Sequence, residues 1–405
     1  MRNWLTTVLA GSVAIVLATA ALAAKPTQVE RVQAALDAWL ASRAPIEKVT
    51  GIAAYISFGD AGPAIEAFAG KVSRDPDSRP VDQDTLYQMG STSKSFTVAV
   101  ILQLEAQGML SLDDPLGKWF PEYPAWKDVT IRRLLDMTSG VPNYSETEWI
   151  SRAWANEPMR AFTLKELVDA AYPSPTNQLP VTKGYHYSNT NYALAGMIAE
   201  KATGKSFRDL VDEMVIEPHG LNSTFYEAST YPESVVKRLS HGYFENEGCA
   251  DYQPECKESW NAPLLGRDMR DGSVSWMQSA GGGVASARDV DRWMRAVFGG
   301  KVVPPKQQKE WTALVSTKTG EPIKTVSADD PGGFALGLAY RILGDLGAQW
   351  FYEGSSLGYR TLYVWIADHD LMITVQTNSQ PPEGTDKIGD AVNALYEVVK
   401  RPKAD

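Results

Sequence analysis

The chain of 405 residues is poor in histidine, which limits the kinds of metal site that it can build. Its four histidines are far apart in the sequence, and none belongs to an H-E-x-x-H motif or to a similar cluster of ligands. The sequence therefore predicts no metal centre and no cofactor. The scattered positions are His186, His219, His241 and His369.

Cysteine is also scarce, with only Cys249 and Cys256 in the whole sequence. In an oxidising compartment, two cysteines this close together are expected to form one disulfide that closes the loop between them. A pair of free thiols and half of a metal site are the alternatives. No histidine stands near enough to complete a familiar ligand pattern, which favours the disulfide.

The chain lacks runs of basic residues and, past its first residues, long apolar runs. Its formal net charge is −10, with acidic and basic side chains interspersed, so no partner rich in phosphate, such as a nucleic acid, is expected. No segment after the N-terminus resembles a transmembrane helix. The hydrophobic content of 44% is enough for a large core, in one big domain or in two interlocked ones.

The N-terminus has the three parts of a secretory signal peptide. Arg2 supplies the positive end, Leu5 to Leu17 the apolar stretch, and Ala21-Leu22-Ala23 a cleavage site of small residues. The apolar stretch is too short to span a bilayer comfortably, and no cysteine near the cleavage point could carry a lipid. We therefore expect a signal peptide over residues 1–23 and an exported protein, periplasmic or secreted, without a stable membrane anchor.

Strand patterns occur near both ends of the mature chain, and helical patterns lie between them. An amphipathic helix is predicted from Val29 to Ser42, a strand from Gly51 to Gly59, and its antiparallel partner from Glu66. Helical signals dominate from Ser91 to about Phe298. Strands return with three segments, GFALGLAYRIL, WFYEGSSLGYRTLYVWIAD and LMITVQTNS, and the helix DKIGDAVNALYEVV closes the chain.

This distribution predicts an α/β (α+β) fold with an antiparallel sheet built from both termini. Residues 24–90 and 330–405 are expected to form the sheet region with its flanking helices. Residues 91–329 are expected to form a mostly helical inserted region, with the active site at the interface of the two.

The motif Ser91-Thr92-Ser93-Lys94 places a hydroxyl and an amine three residues apart at the start of a long apolar helix. Residues at this spacing share a helix face. A serine hydroxyl is a weak nucleophile until a base removes its proton, and a desolvated lysine can be that base. The pair predicts a serine hydrolase; the alternative is an N-cap serine beside a snorkelling lysine. The same spacing at Ser234 and Lys237 lacks the apolar helix and is interpreted as a solvated helix turn.

The segment Tyr187-Ser188-Asn189 is the only Y-x-N in the chain. A phenol beside an ammonium group can have its pKa lowered and can then shuttle protons to a leaving group. An amide two residues later can hold the lysine or a substrate carbonyl. The alternative interpretation is a loop tyrosine followed by a capping asparagine.

Taken in order, these motifs resemble the serine β-lactamase and penicillin-binding-protein superfamily, in particular its class C branch. That branch includes β-lactamases, DD-carboxypeptidases, D-aminopeptidases and β-lactamase-like esterases. The resemblance implies the superfamily's fold, Ser91 as the acylated nucleophile, Lys94 as its base, Tyr187 as a proton donor or acceptor and Asn189 as a positioning group. The similar segments are LYQMGSTSKSFTVAVILQL, LSLDDPLGKWFPE, VTIRRLLDMTSGVPNY, the Y-S-N motif and SAGGGVASARDVDRW.

The superfamily's third element, usually K-T-G or H-x-G, lies on a strand that lines the pocket. Lys318-Thr319-Gly320 matches the letters, but the residues after it do not resemble a strand. It also precedes the segment GFALGLAYRIL, whereas the superfamily places the motif after the equivalent strand. The better candidate is Tyr352-Glu353-Gly354-Ser355, which precedes a strong strand pattern. The resemblance then implies that Tyr352, Gly354 and Ser355 line the substrate site. It also implies an oxyanion hole made by the backbone N–H groups of Ser91 and Ser355.

Tyrosine at position 352 replaces the lysine or histidine that superfamily members place near a substrate carboxylate. Arg360, Ser355 and Ser356 are candidates to compensate, and a structural role on its strand is the alternative for Arg360. The replacement itself favours a neutral ester or amide. We therefore expect an exported serine hydrolase that cleaves ester or amide and peptide bonds in small-molecule or peptide substrates. The alternatives are a DD-carboxypeptidase or β-lactamase, and a non-catalytic penicillin-binding receptor. The sequence predicts no oligomeric state.

Overall fold

The computed structural model describes residues 25–59, 62–174, 183–248 and 261–400. The predicted signal peptide and both cysteines, with their predicted disulfide, lie outside these ranges.

The helices of the described ranges are numbered α1 to α12 in chain order. They are Gln28–Glu47, Lys94–Ala106, Leu116–Trp119, Ile131–Leu135, Glu148–Asn156, Leu164–Ala171, Asn189–Thr203, Phe207–Val211, Glu233–Val236, Ala287–Phe298, Pro305–Trp311 and Ile388–Val399.

The strands of the same ranges are numbered β1 to β14. They are Gly51–Ser57, Ile65–Gly70, Tyr87–Gln88, Thr224–Tyr226, Tyr243–Phe244, Gly283–Ala285, Leu314–Ser316, Pro322–Ile323, Gly332–Phe334, Ala339–Leu343, Gly347–Ser355, Arg360–Ile366, Leu371–Thr377 and Ser379–Gln380.

One large antiparallel sheet contains strands from both ends of the chain, in the order β2-β1-β13-β12-β11-β10-β9-β7-β8. The N-terminal β1 pairs with the C-terminal β13, with Ile52 opposite Thr377. Helices α1 and α12 pack on one face of the sheet through an apolar cluster that includes Leu36, Ile373 and Val392. The predicted fold class, an antiparallel sheet assembled from both termini and flanked by helices, is confirmed.

Strands β7 and β8 extend the far edge of this sheet. They lie inside the range 91–329, which we predicted to be mostly helical. β7 pairs with β9 and carries β8 as the outermost strand, so the sheet takes in a hairpin from the inserted region. Both strands have only two or three residues, which is too short for a clear alternation of apolar and polar positions.

Helix α2 is buried on nearly every side, since ten of its thirteen residues are buried. A helix that is apolar all round belongs inside a core rather than on a surface. It packs against α7, and both contribute to the larger apolar cluster of the protein. The start of α2 is therefore held firmly, next to the end of strand β11.

Within the described ranges, no helix combines the length and the apolar character that crossing a bilayer requires.

Candidate active site

Ser91 lies in a short 3-10 turn, Gly90–Ser93, that leads directly into α2. This turn crosses the end of strand β11 with the two backbones in contact. A Cβ atom on Gly354 would lie 2.0 Å from the Met89 carbonyl oxygen, and one on Gly90 would lie 2.5 Å from the carbonyl oxygen of Ser355. Gly90 also has a φ of +52°, which favours glycine. The absence of side chains at both positions allows the close approach.

Lys94 is fully buried beneath Ser91. Its Nζ atom lies 3.1 Å from Ser91 Oγ, 2.8 Å from Asn189 Oδ1 and 2.7 Å from the carbonyl oxygen of Ala280. Burial lowers the pKa of the amine well below its ordinary value. A neutral amine has two N–H donors and one lone pair. In the neutral form, the carbonyl oxygens of Asn189 and Ala280 can accept these two N–H groups, which leaves the lone pair for the hydroxyl of Ser91.

Tyr187 lies on the other side of the nucleophile, with its hydroxyl 2.6 Å from Ser91 Oγ. Burial raises the pKa of this phenol to about 12, although hydrogen bonding with Ser91 and Tyr352 opposes the shift. The expectation that the neighbouring lysine lowers this pKa was wrong. Desolvation favours the neutral amine of Lys94, so no permanent positive charge stabilises the phenolate. Desolvation of Tyr187 also disfavours the phenolate directly. Tyr187 is therefore a neutral phenol near pH 7.

Asn189 is the first residue of α7, and three hydrogen bonds fix the orientation of its side chain and backbone. Its Oδ1 accepts from Lys94, its Nδ2 donates to Ser145 Oγ at 3.2 Å, and its backbone N–H donates to Asn143 Oδ1 at 3.0 Å. The amide oxygen is thereby turned toward the lysine. Ser145 and Asn143 form a support that the sequence analysis did not identify.

The sequence analysis also missed the contact of Lys94 with Ala280. The contact is made by a backbone carbonyl, which every residue type has, so the residue type gives no sign of it. The only available signal was its place before the three glycines of SAGGG. Asn143 and Ser145 lie in and just after the segment VTIRRLLDMTSGVPNY, whose similarity to the superfamily was noted without a role for single residues. Nothing in the sequence pairs Asn143 and Ser145 with Asn189.

The backbone around the predicted oxyanion hole is compact. A Cβ atom on Gly354 would lie 2.8 Å from the backbone nitrogen of Ser91, and one on Gly90 would lie 2.8 Å from that of Ser355. The two predicted donors are thus carried by backbone segments that touch each other. Their role in stabilising an oxyanion remains a prediction.

Tyr352 lies on β11 beside Tyr187, and only 6% of its surface is exposed. Burial raises the pKa of its phenol well above the ordinary value, so the group is neutral. Its hydroxyl interacts with that of Tyr187 and has no other hydrogen-bond partner among the described residues. Tyr187 and Tyr352 both line a cavity of about 620 Å³ with largely aromatic and aliphatic walls. A buried hydroxyl with one neighbouring phenol can also form a hydrogen bond to a ligand in the cavity.

Arg360 does not reach this cavity. It is fully buried, its Nη2 lies 2.8 Å from Glu47 Oε2, and it also pairs with Asp386. Its Nε donates to the carbonyl oxygen of Ser379 at 2.9 Å. The suggestion that Arg360 compensates for Tyr352 at a substrate carboxylate was wrong, because structural partners occupy its guanidinium.

The other motif copies lie at different places. Lys318, Thr319 and Gly320 form the turn between β7 and β8 and do not belong to β11, although Lys318 lines the same cavity as Tyr352. A Cβ atom on Gly184 would lie 2.7 Å from the carbonyl oxygen of Thr319, so this turn packs on the segment that leads to Tyr187. Ser234 is exposed at the start of the short helix α9, and Lys237 pairs with Glu233 at 2.7 Å, as expected for a solvated helix turn.

No group of three or more potential metal-binding side chains, of the types His, Cys, Asp and Glu, occurs among the residues that the structure describes.

Comparison with known proteins places this chain in a family. The family model described as "Beta-lactamase" matches residues 48–397. The chain is 26% identical over 308 residues to "Penicillin-binding protein 4*" of Bacillus subtilis (strain 168), a match that covers 75% of this chain and 63% of that protein. It is 32% identical over 167 residues to "Esterase EstB" of Burkholderia gladioli, covering 38% of this chain and 42% of that one. The matches thus span less than two thirds of these relatives' own lengths.

Two solved structures resemble the whole described fold. A D-stereospecific amidohydrolase from Streptomyces sp. superposes with a TM-score of 0.72 at 25% identity, covering 92% of this chain and 99% of that chain. A D-amino acid amidase from Ochrobactrum anthropi SV3, complexed with D-phenylalanine, has a TM-score of 0.72 at 23% identity and covers 92% and 98%. The second of these similarities concerns the fold alone.

Proposed function

Because the chain belongs to the beta-lactamase family, we propose that it is a serine hydrolase that forms an acyl-enzyme on Ser91 and cleaves ester or amide bonds. One observation carries this proposal. The Ser91 hydroxyl lies between a buried amine and a neutral phenol, 3.1 Å from Lys94 Nζ and 2.6 Å from the Tyr187 hydroxyl. A hydroxyl held between a base and a proton relay is the arrangement that nucleophilic catalysis requires.

In the acylation step, the neutral amine of Lys94 accepts the proton of Ser91, and the serine oxygen attacks the substrate carbonyl carbon. The lowered pKa of Lys94 favours this role, since an amine that is neutral at the working pH can accept a proton without first losing one. The negative charge that develops on the carbonyl oxygen is stabilised by the backbone N–H groups of Ser91 and Ser355. One such donor contributes about 2.7–4 kcal/mol in comparable enzymes.

The leaving group needs a proton when the tetrahedral intermediate collapses. Tyr187 donates its phenolic proton to the departing oxygen or nitrogen and recovers one from the Lys94 ammonium, so no free phenolate accumulates. The raised pKa of Tyr187 fits a relay of this kind better than a permanent base. Water then hydrolyses the acyl-enzyme by the same steps in reverse order.

The proposed enzyme prefers an ester or amide that carries no charge next to the reacting carbonyl. The position next to the reacting carbonyl carries the neutral phenol of Tyr352, which offers a hydrogen bond but no charge. The printed names of the relatives include a penicillin-binding protein, an esterase and amidohydrolases, which span the same range of ester and amide chemistry. We also propose that the protein is exported, on the strength of its N-terminal sequence.

The experiment compares the wild type with Ser91→Ala and with Ser234→Ala, which alters the exposed second copy of the motif. Each is incubated with p-nitrophenyl butyrate, a D-aminoacyl amide and a chromogenic cephalosporin. We expect turnover of the ester or the amide by the wild type and Ser234→Ala, and a loss on the order of 10⁴–10⁶-fold for Ser91→Ala. Intact-mass measurement should show acylation only where Ser91 is present.

Two results would contradict the proposal. If Ser91→Ala retains wild-type rates on every substrate, Ser91 is not the nucleophile. If the wild type forms a stable penicillin adduct and turns over no substrate, the protein is a penicillin-binding receptor instead.

A further inference from the structure

The cavity beside Tyr187 begins next to the nucleophile's partner and continues along the sheet, and Ser91 itself does not line it. It is bordered by Tyr352 at one end and by Arg341 and Leu343 at the other, so it follows strands β10 and β11. Arg341 stands opposite Gln349 in the register of these strands. Five residues separate Gln349 from Gly354, where β11 touches the Ser91 turn. At about 3.3 Å per residue, Arg341 is roughly 17 Å from the reacting centre along the strand.

Arg341 forms no close ion pair with a described residue, although the Glu353 carboxylate is near enough to interact with its charge. Among the described residues, no carboxylate lies within the 4.0 Å that defines an ion pair, and its buried Nε donates to no acceptor. The guanidinium carbon lies 3.7 Å from the centre of the Phe351 ring. Burial lowers the pKa of Arg341, and the charge of Glu353 opposes part of this shift. A cation held in this way on an aromatic face is prepared to bind an anion.

The walls between the two ends of the cavity are mainly apolar. They include the rings of Phe334 and Phe351 and the aliphatic side chain of Leu343, which is more than 40% exposed. The strand register places Phe351 and Leu343 on the same face as Arg341. Such a surface favours a chain of methylene groups or apolar side chains, at about 25 cal/mol for each Å² removed from water. Together, the positive charge and the apolar walls favour a ligand that has an apolar segment and an anionic group.

We propose, building on the proposed hydrolase function, that the cavity binds substrates whose apolar segment ends in a carboxylate that pairs with Arg341. Once the reach of the arginine side chain is subtracted, roughly 10 Å separates the reacting carbonyl from this carboxylate. The anionic group is therefore bound by a residue of β10, away from the reacting bond, while Tyr352 on β11 stays neutral. Short substrates do not reach it.

Other charged groups line the same cavity. Glu353 is a carboxylate, and burial together with the nearby Asp386 raises its pKa to about 7, so it repels an anion only in part at neutral pH. Asp330 and Lys318 lie at the other side, on the loop before β9 and on the β7–β8 turn. The wall of the cavity holds two cations and two carboxylates, and Arg341 is the cation that is half buried.

The test uses paired p-nitrophenyl esters of equal chain length, one ending in a methyl group and one in a carboxylate, with chains of six, eight and ten carbons. In the wild type, we expect the carboxylate to raise kcat/KM by about tenfold or more at the longer lengths and not at the shortest. Arg341→Gln should lower this ratio to near one. Lys324→Gln, which removes an exposed positive charge outside the cavity, should keep it.

Binding provides a second measurement that does not depend on turnover. Decanedioate is titrated calorimetrically into Ser91→Ala and into Ser91→Ala/Arg341→Gln, with decanoate as the reference. We expect decanedioate to bind the first variant about tenfold more tightly than the second. Equal binding to both, or a kinetic advantage that Arg341→Gln retains, would overturn the inference. Loss of hydrolysis in Ser91→Ala alone tests the proposed function, so the two proposals fail separately.

Discussion

At the scale of single residues, the protonation state of Lys94 decides whether Ser91 is activated. The buried amine has a lowered pKa, so it is protonated and inactive as a base at low pH and becomes neutral as the pH rises through that pKa. We expect kcat/KM to rise with pH along a limb that lies below the ordinary lysine pKa of about 10.4. Lys94→Arg keeps the charge at all accessible pH values, and it should lose both activity and this limb.

Glu353 provides the control for this pH profile, because its pKa is raised to about 7 and it lies on the same strand as Tyr352. Glu353→Gln should keep the rising limb if Lys94 is responsible for it. A limb that persists in Lys94→Arg and vanishes in Glu353→Gln would assign the titration to the carboxyl group instead.

The phenol of Tyr187 can be tested by the choice of leaving group. Tyr187→Phe removes the hydroxyl that lies 2.6 Å from Ser91 Oγ and leaves the ring in place. We expect kcat/KM for an amide to fall by about 10²–10⁴-fold, since an amine must be protonated as it leaves. A p-nitrophenyl ester should be affected less, because its leaving group departs as a stable anion.

Tyr396→Phe is the matched control, since Tyr396 lies on α12 in the apolar cluster on the other side of the sheet. It should leave both rates near the wild-type values. Equal losses on the ester and the amide for Tyr187→Phe would mean that the phenol positions Ser91 and does not carry the proton.

At the scale of elements, the crossing of β11 and the Ser91 turn sets the geometry of the site. A methyl group at position 354 would meet the Met89 carbonyl oxygen at 2.0 Å, so Gly354→Ala forces the strand and the turn apart. We expect a loss of about 1–3 kcal/mol in the free energy of unfolding. Displacement of one oxyanion donor should also lower kcat by about 10²–10³-fold.

Gly389→Ala on α12 gives the comparison, because a Cβ atom there would meet nothing within 4 Å. We expect it to be neutral or to stabilise the protein by up to about 1 kcal/mol. Urea unfolding and steady-state kinetics of both variants check the prediction. Wild-type activity in a stable Gly354→Ala variant would show that the crossing tolerates a side chain.

The elements also show where sequence reasoning succeeds. Long segments with a clear period, such as α12 and strands β1, β12 and β13, could be predicted, because burial on one face or on both imposes a readable pattern. The motif of Ser91 and Lys94 could be recognised because it stands at the start of such a segment, the buried helix α2. The hairpin of β7 and β8 could not, because its strands are too short to show a period.

Contacts made through the backbone or across the fold escape a reading of residue types. The carbonyl of Ala280 completes the environment of Lys94, and Asn143 orients Asn189 across 46 positions of sequence. The role of Arg360 stayed open for a related reason. Its position on the strand after Tyr352 allowed both a place in the pocket and a structural role, and its side chain pairs with Glu47 on the side of the sheet that carries α1.

At the scale of the whole molecule, Arg360 joins the two ends of the chain. Its guanidinium pairs with Glu47 at the end of α1, from the N-terminal part, and with Asp386 just before α12, from the C-terminal part. Further bonds tie the same helices together, since Trp39 Nε1 donates to the carbonyl oxygen of Lys387 at 3.2 Å. The ion pairs of Arg360 thus link the N-terminal and C-terminal parts of the sheet region near the paired strands β1 and β13.

Removing this arginine should therefore unfold the protein more readily without altering the chemistry at Ser91. Both Arg360 and Glu47 are fully buried. Arg360→Met removes one of the two arginines on this carboxylate and leaves the pair with Arg43 at 2.6 Å, so we expect a cost of about 1–3 kcal/mol. Lys165→Met, which breaks an exposed pair with Asp169, should cost at most about 1 kcal/mol. Urea unfolding measures both, with kcat/KM on the neutral ester taken well below the unfolding transition. A stable Arg360→Met variant that loses activity only toward carboxylate-bearing substrates would return Arg360 to the substrate site.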